Sequence, residues 1–143
     1  MLDIQTPILR RLHADWEDRR RGREFPSRAD FDVLELRYVI GKLSLLDVTH
    51  NPVQFRFRLH ATGVVQRVGY ELTGKDLDGL PAPAAREVAR RHFLAVVDQR
   101  VPIVQMRERQ VVDDSLKQCE VLVLPLSQDG GDIDMLMSAI VWL

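Results

Sequence analysis

The stretch from Phe55 to Leu80 reads FRFRLHATGVVQRVGYELTGKDLDGL, and its reading decides how the rest of the chain is organised. It opens with Phe55, Phe57 and Leu59 alternating with Arg56, Arg58 and His60. A period of two is the mark of a strand with one buried and one polar face. The period is then lost, and Gly63, Gly69, Gly74 and Gly79 break residues 61–80 into what should be short helical turns. These glycines make neither a G-x-x-x-x-G-K-[ST] loop nor a G-x-G-x-x-G fingerprint, so they cradle no phosphate. They read as turn formers, able to take positive φ where the backbone bends sharply.

Working outward, KLSLLDVTH (42–50) precedes Asn51-Pro52, which makes a hairpin with the alternating strand. After the glycines, Pro83 to Gln99 carries Ala85, Val88, Ala89, His92, Phe93 and Val96 as one apolar helical stripe. Three strand-like runs follow: PIVQMRERQVV, LKQCEVLVLPLS and IDMLMSAIVWL, divided by Asp/Gly/Ser turns. At the other end, Thr6-Pro7 starts a helix with Ile8, Leu9, Leu12 and Trp16 on one side, ending near Gly22. Asp32 and Glu35 mark a short helix over 33–38. The order predicts an α+β fold: a five-stranded antiparallel sheet with helices packed on one face, preceded by an N-terminal flanking helix and connector (1–28).

The 143 residues carry a net charge of −1, with 45% hydrophobic and 29% charged residues, a profile suited to one globular domain. So balanced a chain sets up no global field for nucleic acid or an anionic membrane. Seven arginines between Arg10 and Arg28 face Asp15, Glu17, Asp18 and Glu24, which reads as a solvated helix end rather than a nucleic-acid contact. Arg19 and Arg23 also match half of a cyclic-dinucleotide signature, but Gln118 stands where its other half needs glycine. Arg56 and Arg58 should point away from the phenyl rings, toward acids such as Asp15 or Glu17. The single cysteine, Cys119, forms no internal disulfide. No signal peptide opens the chain and no apolar run reaches about 20 residues, so the expected location is cytoplasmic and off the membrane. No spacing pairs a nucleophile with a base and no Cys/His set marks a metal, so no catalytic or metal-ligating residue is assigned.

Trp16 to Asp32 (W-x-x-x-R-x-x-x-x-x-P-S-R-A-D-F-D), LSLLDV at 43–48, the F-R-F-R-L strand and GYELTGKDL at 69–77 together resemble the PAS-5 family. That family comprises single-domain PAS proteins common in alphaproteobacteria. Ala61-Thr62 departs from its usual Gly-Thr pair, and Val39-Ile40-Gly41 from its usual Leu-Leu-Pro. The resemblance places the PAS domain at 29–143 and implies a sensory or regulatory module. That module would bind a small molecule or a protein partner and signal in trans, without enzymatic activity. It also implies a pocket between the inner sheet face and the 61–80 segment, closed by the 83–99 helix. Phe57, Leu59, Thr62, Val65, Val68, Tyr70, His92 and Val96 should approach it, and so apolar a lining suits an apolar small molecule or none. Some haem-binding relatives take an axial histidine from the helix that here carries His92. Flavin-binding light sensors of the class place a cysteine before that helix, where this chain has none, so flavin photochemistry is not expected. Flanking helices in relatives often mediate dimers, which makes Ile8, Leu9, Leu12 and Trp16 the candidate homodimer interface. The other reading is a ligand-free docking and dimerisation module.

Overall fold

The computed structural model describes residues 2–143. Helix α1 (Pro7–Arg20) leads through three short 3-10 turns into strands β1 (Leu43–Thr49) and β2 (Gln54–Leu59). Helix α2 (Thr62–Val68) and a 3-10 turn at Leu77–Gly79 then precede α3 (Pro83–Gln99). Strands β3 (Ile103–Gln110), β4 (Leu116–Leu126) and β5 (Met135–Trp142) complete one antiparallel sheet in the order β2-β1-β5-β4-β3.

The element order and the fold class match the sequence reading, and α3 has the predicted limits. The D-x-x-E signal gives a 3-10 turn, Val33–Leu36, whose Leu34 N–H donates to the Asp32 carboxylate at 2.9 Å. Of the four glycines in the opening stretch, Gly69 and Gly74 have positive φ. Gly63 serves a different need: a Cβ there would lie 2.9 Å from the Gly41 carbonyl oxygen, so only glycine lets α2 approach the turn before β1.

Strand β4 explains how the layers stack. From Cys119 to Leu126 every residue is buried, as in a strand covered on both faces. Glu120 reaches the start of α1, while its neighbour Cys119 pairs across the ladder with Arg107, which bonds to α3. Adjacent strand residues point to opposite faces, so α1 covers one side of the sheet and α3 the other.

Helix α1 is built into the core. Leu9, Leu12 and Trp16 are fully buried in the same apolar cluster as the sheet, and Trp16 Nε1–H donates to the Pro125 carbonyl at 2.8 Å. These three candidate dimer residues are thus spent inside their own chain; Ile8 alone of the four stays partly exposed. Packing likewise shows no break at residue 28, since Phe25 belongs to that cluster as well. Thr6 does not cap its own helix: its hydroxyl donates to the Glu120 carboxylate at 2.7 Å. Arg58 pairs across the hairpin with Asp47 at 3.0 Å, not with Asp15 or Glu17, because those acids lie on α1 and bond Tyr38 and Arg20.

The two edges of the sheet differ. Beyond β2 the 72–76 segment completes the ladder, with Gly74 N–H donating to the Phe57 carbonyl and Phe57 N–H to the Lys75 carbonyl. Beyond β3 no strand follows among the described residues.

Candidate functional site

A groove of about 510 Å³ opens along β3, on the face that carries α3. One wall is the first turns of α3, with Ala82, Ala85 and Val88. Opposite stand Val68 and Tyr70 at the end of α2, and the hairpin between β3 and β4 closes the far end through Val112. Two contacts hold that closure: Val112 N–H donates to the Arg67 carbonyl at 2.8 Å, and Gly69 lies so close that a Cβ would sit 2.7 Å from Val112 Cγ1.

The floor brings the charge. Arg107 and Arg109, two residues apart and so on one face of β3, both line the groove. Arg109 Nη2–H donates to the Tyr70 hydroxyl at 2.9 Å. Arg107 Nη2–H donates to His92 Nδ1 at 2.6 Å, while its Nε–H is buried with no acceptor. Neither guanidinium pairs with a carboxylate among the described residues. The acids of the groove, Glu108 and Asp114, are both exposed at its rim. Burial, and then the charge of Arg109, lowers the Arg107 pKa to about 10, so it remains a cation at neutral pH.

His92 acts as a strut. Its Nε2–H donates to the Ile103 carbonyl at 2.8 Å, which leaves Nδ1 to accept from Arg107. Burial, and next the nearby Arg107 charge, bring its pKa down to about 4 against the opposing Ile103 bond, so the ring is neutral. Both ring nitrogens are engaged and the ring is fully buried, so His92 does not fit the role of a haem ligand.

Of the eight residues expected at a pocket, Val68 and Tyr70 reach the groove. His92 supports it from behind through Arg107, and Phe57 supports it through a stack of rings. Tyr70 lies on His60 at 6.4 Å between centroids, and His60 against Phe57 at 5.0 Å. Val96 is fully buried and Leu59 and Val65 are half-buried, while Thr62 is exposed. The groove thus lies between the sheet, the end of the 61–80 segment's α2 and the start of α3, while deeper under α3 Phe93 packs edge-on to Phe55 at 5.4 Å. The opening lies at the β3 edge, and its two cations come from a strand that the sequence reading left out of the site.

The chain matches the PAS domain family PAS_5 over residues 4–141. Among solved structures it is similar to a PAS domain of a Colwellia psychrerythraea protein, with 13% identity over 78% of this chain and 98% of that one, at a TM-score of 0.51. It is also similar to a LOV domain of a blue-light-activated histidine kinase from Erythrobacter litoralis (15% identity, 71% and 94% coverage, TM-score 0.52). A sensory box sensor histidine kinase from Vibrio cholerae aligns comparably, at 14% identity over 78% and 88%, with a TM-score of 0.52. At such identities the likeness speaks for the fold. No curated protein sequence matches the chain.

Proposed function

The chain belongs to the PAS_5 family of PAS domains, and on that premise we propose that it is a sensory module whose β3 groove takes up a small molecule and whose occupancy biases a partner protein. The observation that carries this reading is a groove lined by two guanidinium groups that pair with no carboxylate among the described residues. A ligand that binds one arrangement of α3 and β3 more tightly than another shifts the population between them. Helix α3 is coupled to the groove floor through His92 and Arg107, so ligand contact with β3 is felt in the helix. The reading includes no catalytic step. It includes no flavin photochemistry either, since the segment between β2 and α3 contains no cysteine and Cys119 is buried in β4.

Native mass spectrometry of freshly purified protein, compared with its denatured mass, tests the proposal. A retained small molecule, or a thermal shift of several degrees with a screened metabolite, supports it. A mass equal to the bare chain together with a flat screen refutes it. One observation favours the docking-module reading instead. Strand β3 is an open edge, and Met106, Val112 and Leu116 around it are each more than half exposed. An unpaired edge with apolar residues is a place where another chain can add.

A further inference from the structure

We propose that the groove selects a small organic anion, a compact apolar body ending in a carboxylate or phosphate, with Arg107 and Arg109 gripping the anionic head. The inference rests on the ligand-binding reading above and gives it a chemical class. Two cations on one strand face repel each other and are costly to shield from water, and the cost is relieved when an opposite charge completes them. Here the protein supplies only neutral acceptors, the Tyr70 hydroxyl and His92 Nδ1. The His92 ring cannot compensate, because it is a neutral acceptor only and protonating its Nδ1 would add a third positive charge. What remains free is a set of N–H donors, one of them the buried Arg107 Nε–H. Guanidinium forks match the geometry of carboxylate and phosphate oxygens, which a neutral ligand cannot exploit. The flanking alanines and Val88 offer the body of the ligand a wall without hydrogen-bonding groups.

The groove is also built to hold these cations in place. Tyr70 is fixed by its stack on His60, and His60 in turn by the Leu72 N–H, which donates to its Nδ1 at 3.2 Å. Arg107 is fixed by His92. A surface arginine has no such support; Arg91, three-quarters exposed and tied to Glu87, is an example on α3.

The test is calorimetric titration of the full chain with octanoate, octyl phosphate and octan-1-ol, which share a tail and differ in the head. Octanoate or octyl phosphate should bind at least tenfold more tightly than octan-1-ol, and whichever of the two is tighter assigns the head. Arg109→Gln and Arg107→Lys should each weaken the anion roughly tenfold or more and leave octan-1-ol unchanged, and Arg91→Gln should alter neither. Arg109→Gln changes a partly exposed residue, so folding is checked independently by its thermal transition. If octan-1-ol binds as tightly as the anions, or the arginine variants keep full affinity, the anion assignment is overturned while a ligand-binding groove stands. If none of the three binds and native mass spectrometry also finds a bare chain, both readings fall together.

Discussion

Two neighbouring strands, β4 and β3, each draw a charged side chain away from solvent, Glu120 completely and Arg107 in part, and they treat it in opposite ways. On β4 the Glu120 carboxylate is fully shielded from solvent and fully answered: Gln5 N–H donates at 2.6 Å, Thr6 N–H at 2.9 Å and the Thr6 hydroxyl at 2.7 Å. Burial opposes its ionisation, but these donors outweigh burial and hold the carboxyl below its usual pKa. On β3 the Arg107 guanidinium is answered by one neutral ring nitrogen, and its Nε–H by nothing. A charge with a complete shell of partners ties elements together, here the start of α1 to the sheet. A charge left short of partners costs stability and is a mark of function. The contrast separates what the fold needs from what a ligand would complete.

The first way to test the contrast is at the far end of the helix that Glu120 anchors. Trp16→Ala removes a fully buried indole together with its hydrogen bond to Pro125, and it should lower stability by roughly 3–5 kcal/mol in urea unfolding. Light scattering on the same variant should show no change of oligomeric state, because the ring packs inside its own chain. A clean shift from dimer to monomer would restore the interface role expected from the sequence.

Glu120→Gln keeps the shape and removes the charge. The amide can accept from some of the three donors, but its own NH2 then faces an N–H. A loss of about 2–3 kcal/mol is expected, read as a lower urea midpoint at unchanged slope. A neutral outcome would remove the distinction drawn between the two strands.

The β3 side has a pH signature. His92 in the folded chain has a pKa of about 4 against an ordinary 6.5. The unfolded chain therefore takes up the proton first as pH falls. Stability is complete above the ordinary value and drains away as pH drops toward 4, with about 2 kcal/mol lost between pH 7 and pH 5. His60, its pKa also lowered by burial in the first place, adds a loss of the same sign. His92→Gln should remove the His92 part of the slope and leave that of His60 and, toward pH 4, that of carboxyls held low such as Glu120; an unchanged slope between pH 7 and pH 5 would show that His92 is not buried as a neutral base.

The strands and both long helices were legible because each obeys one period over many residues, or, in β4, an unbroken apolar run, but the face of the sheet that α1 covers was not. The groove was not legible, for a reason visible in MRERQ at 106–110. Polarity alone would turn Met106 inward and the arginines outward. The structure does the reverse, leaving Met106 53% exposed and both arginines facing α3. The sequence does contain the signal, but only through pairing. Arg107 stands opposite Cys119, whose neighbour Glu120 belongs to the other face, and that register follows from tertiary structure rather than from β3 itself. The α1 stripe was ambiguous for a related reason: an apolar stripe announces that it will be covered, not by what, and Leu9, Leu12 and Trp16 are covered within their own chain.

The smallest expected effect is the most discriminating. Arg107→Met replaces an incompletely paired cation by an apolar side chain of similar length. It removes the repulsion with Arg109 and the orphaned Nε–H, and it leaves His92 Nδ1 without its donor. Replacing a buried charge by a well-packed hydrophobe is commonly neutral or stabilising, while one unsatisfied acceptor costs about 1–3 kcal/mol. The two contributions oppose each other, so the urea midpoint should move by no more than about 1 kcal/mol equivalent. The same variant should lose most of its affinity for octanoate or octyl phosphate. Stability kept and anion binding lost is the pattern of a residue held for a ligand. If Arg107→Met instead unfolds the chain as severely as Glu120→Gln, the guanidinium is a structural group like its counterpart on β4, and the contrast between the two strands disappears.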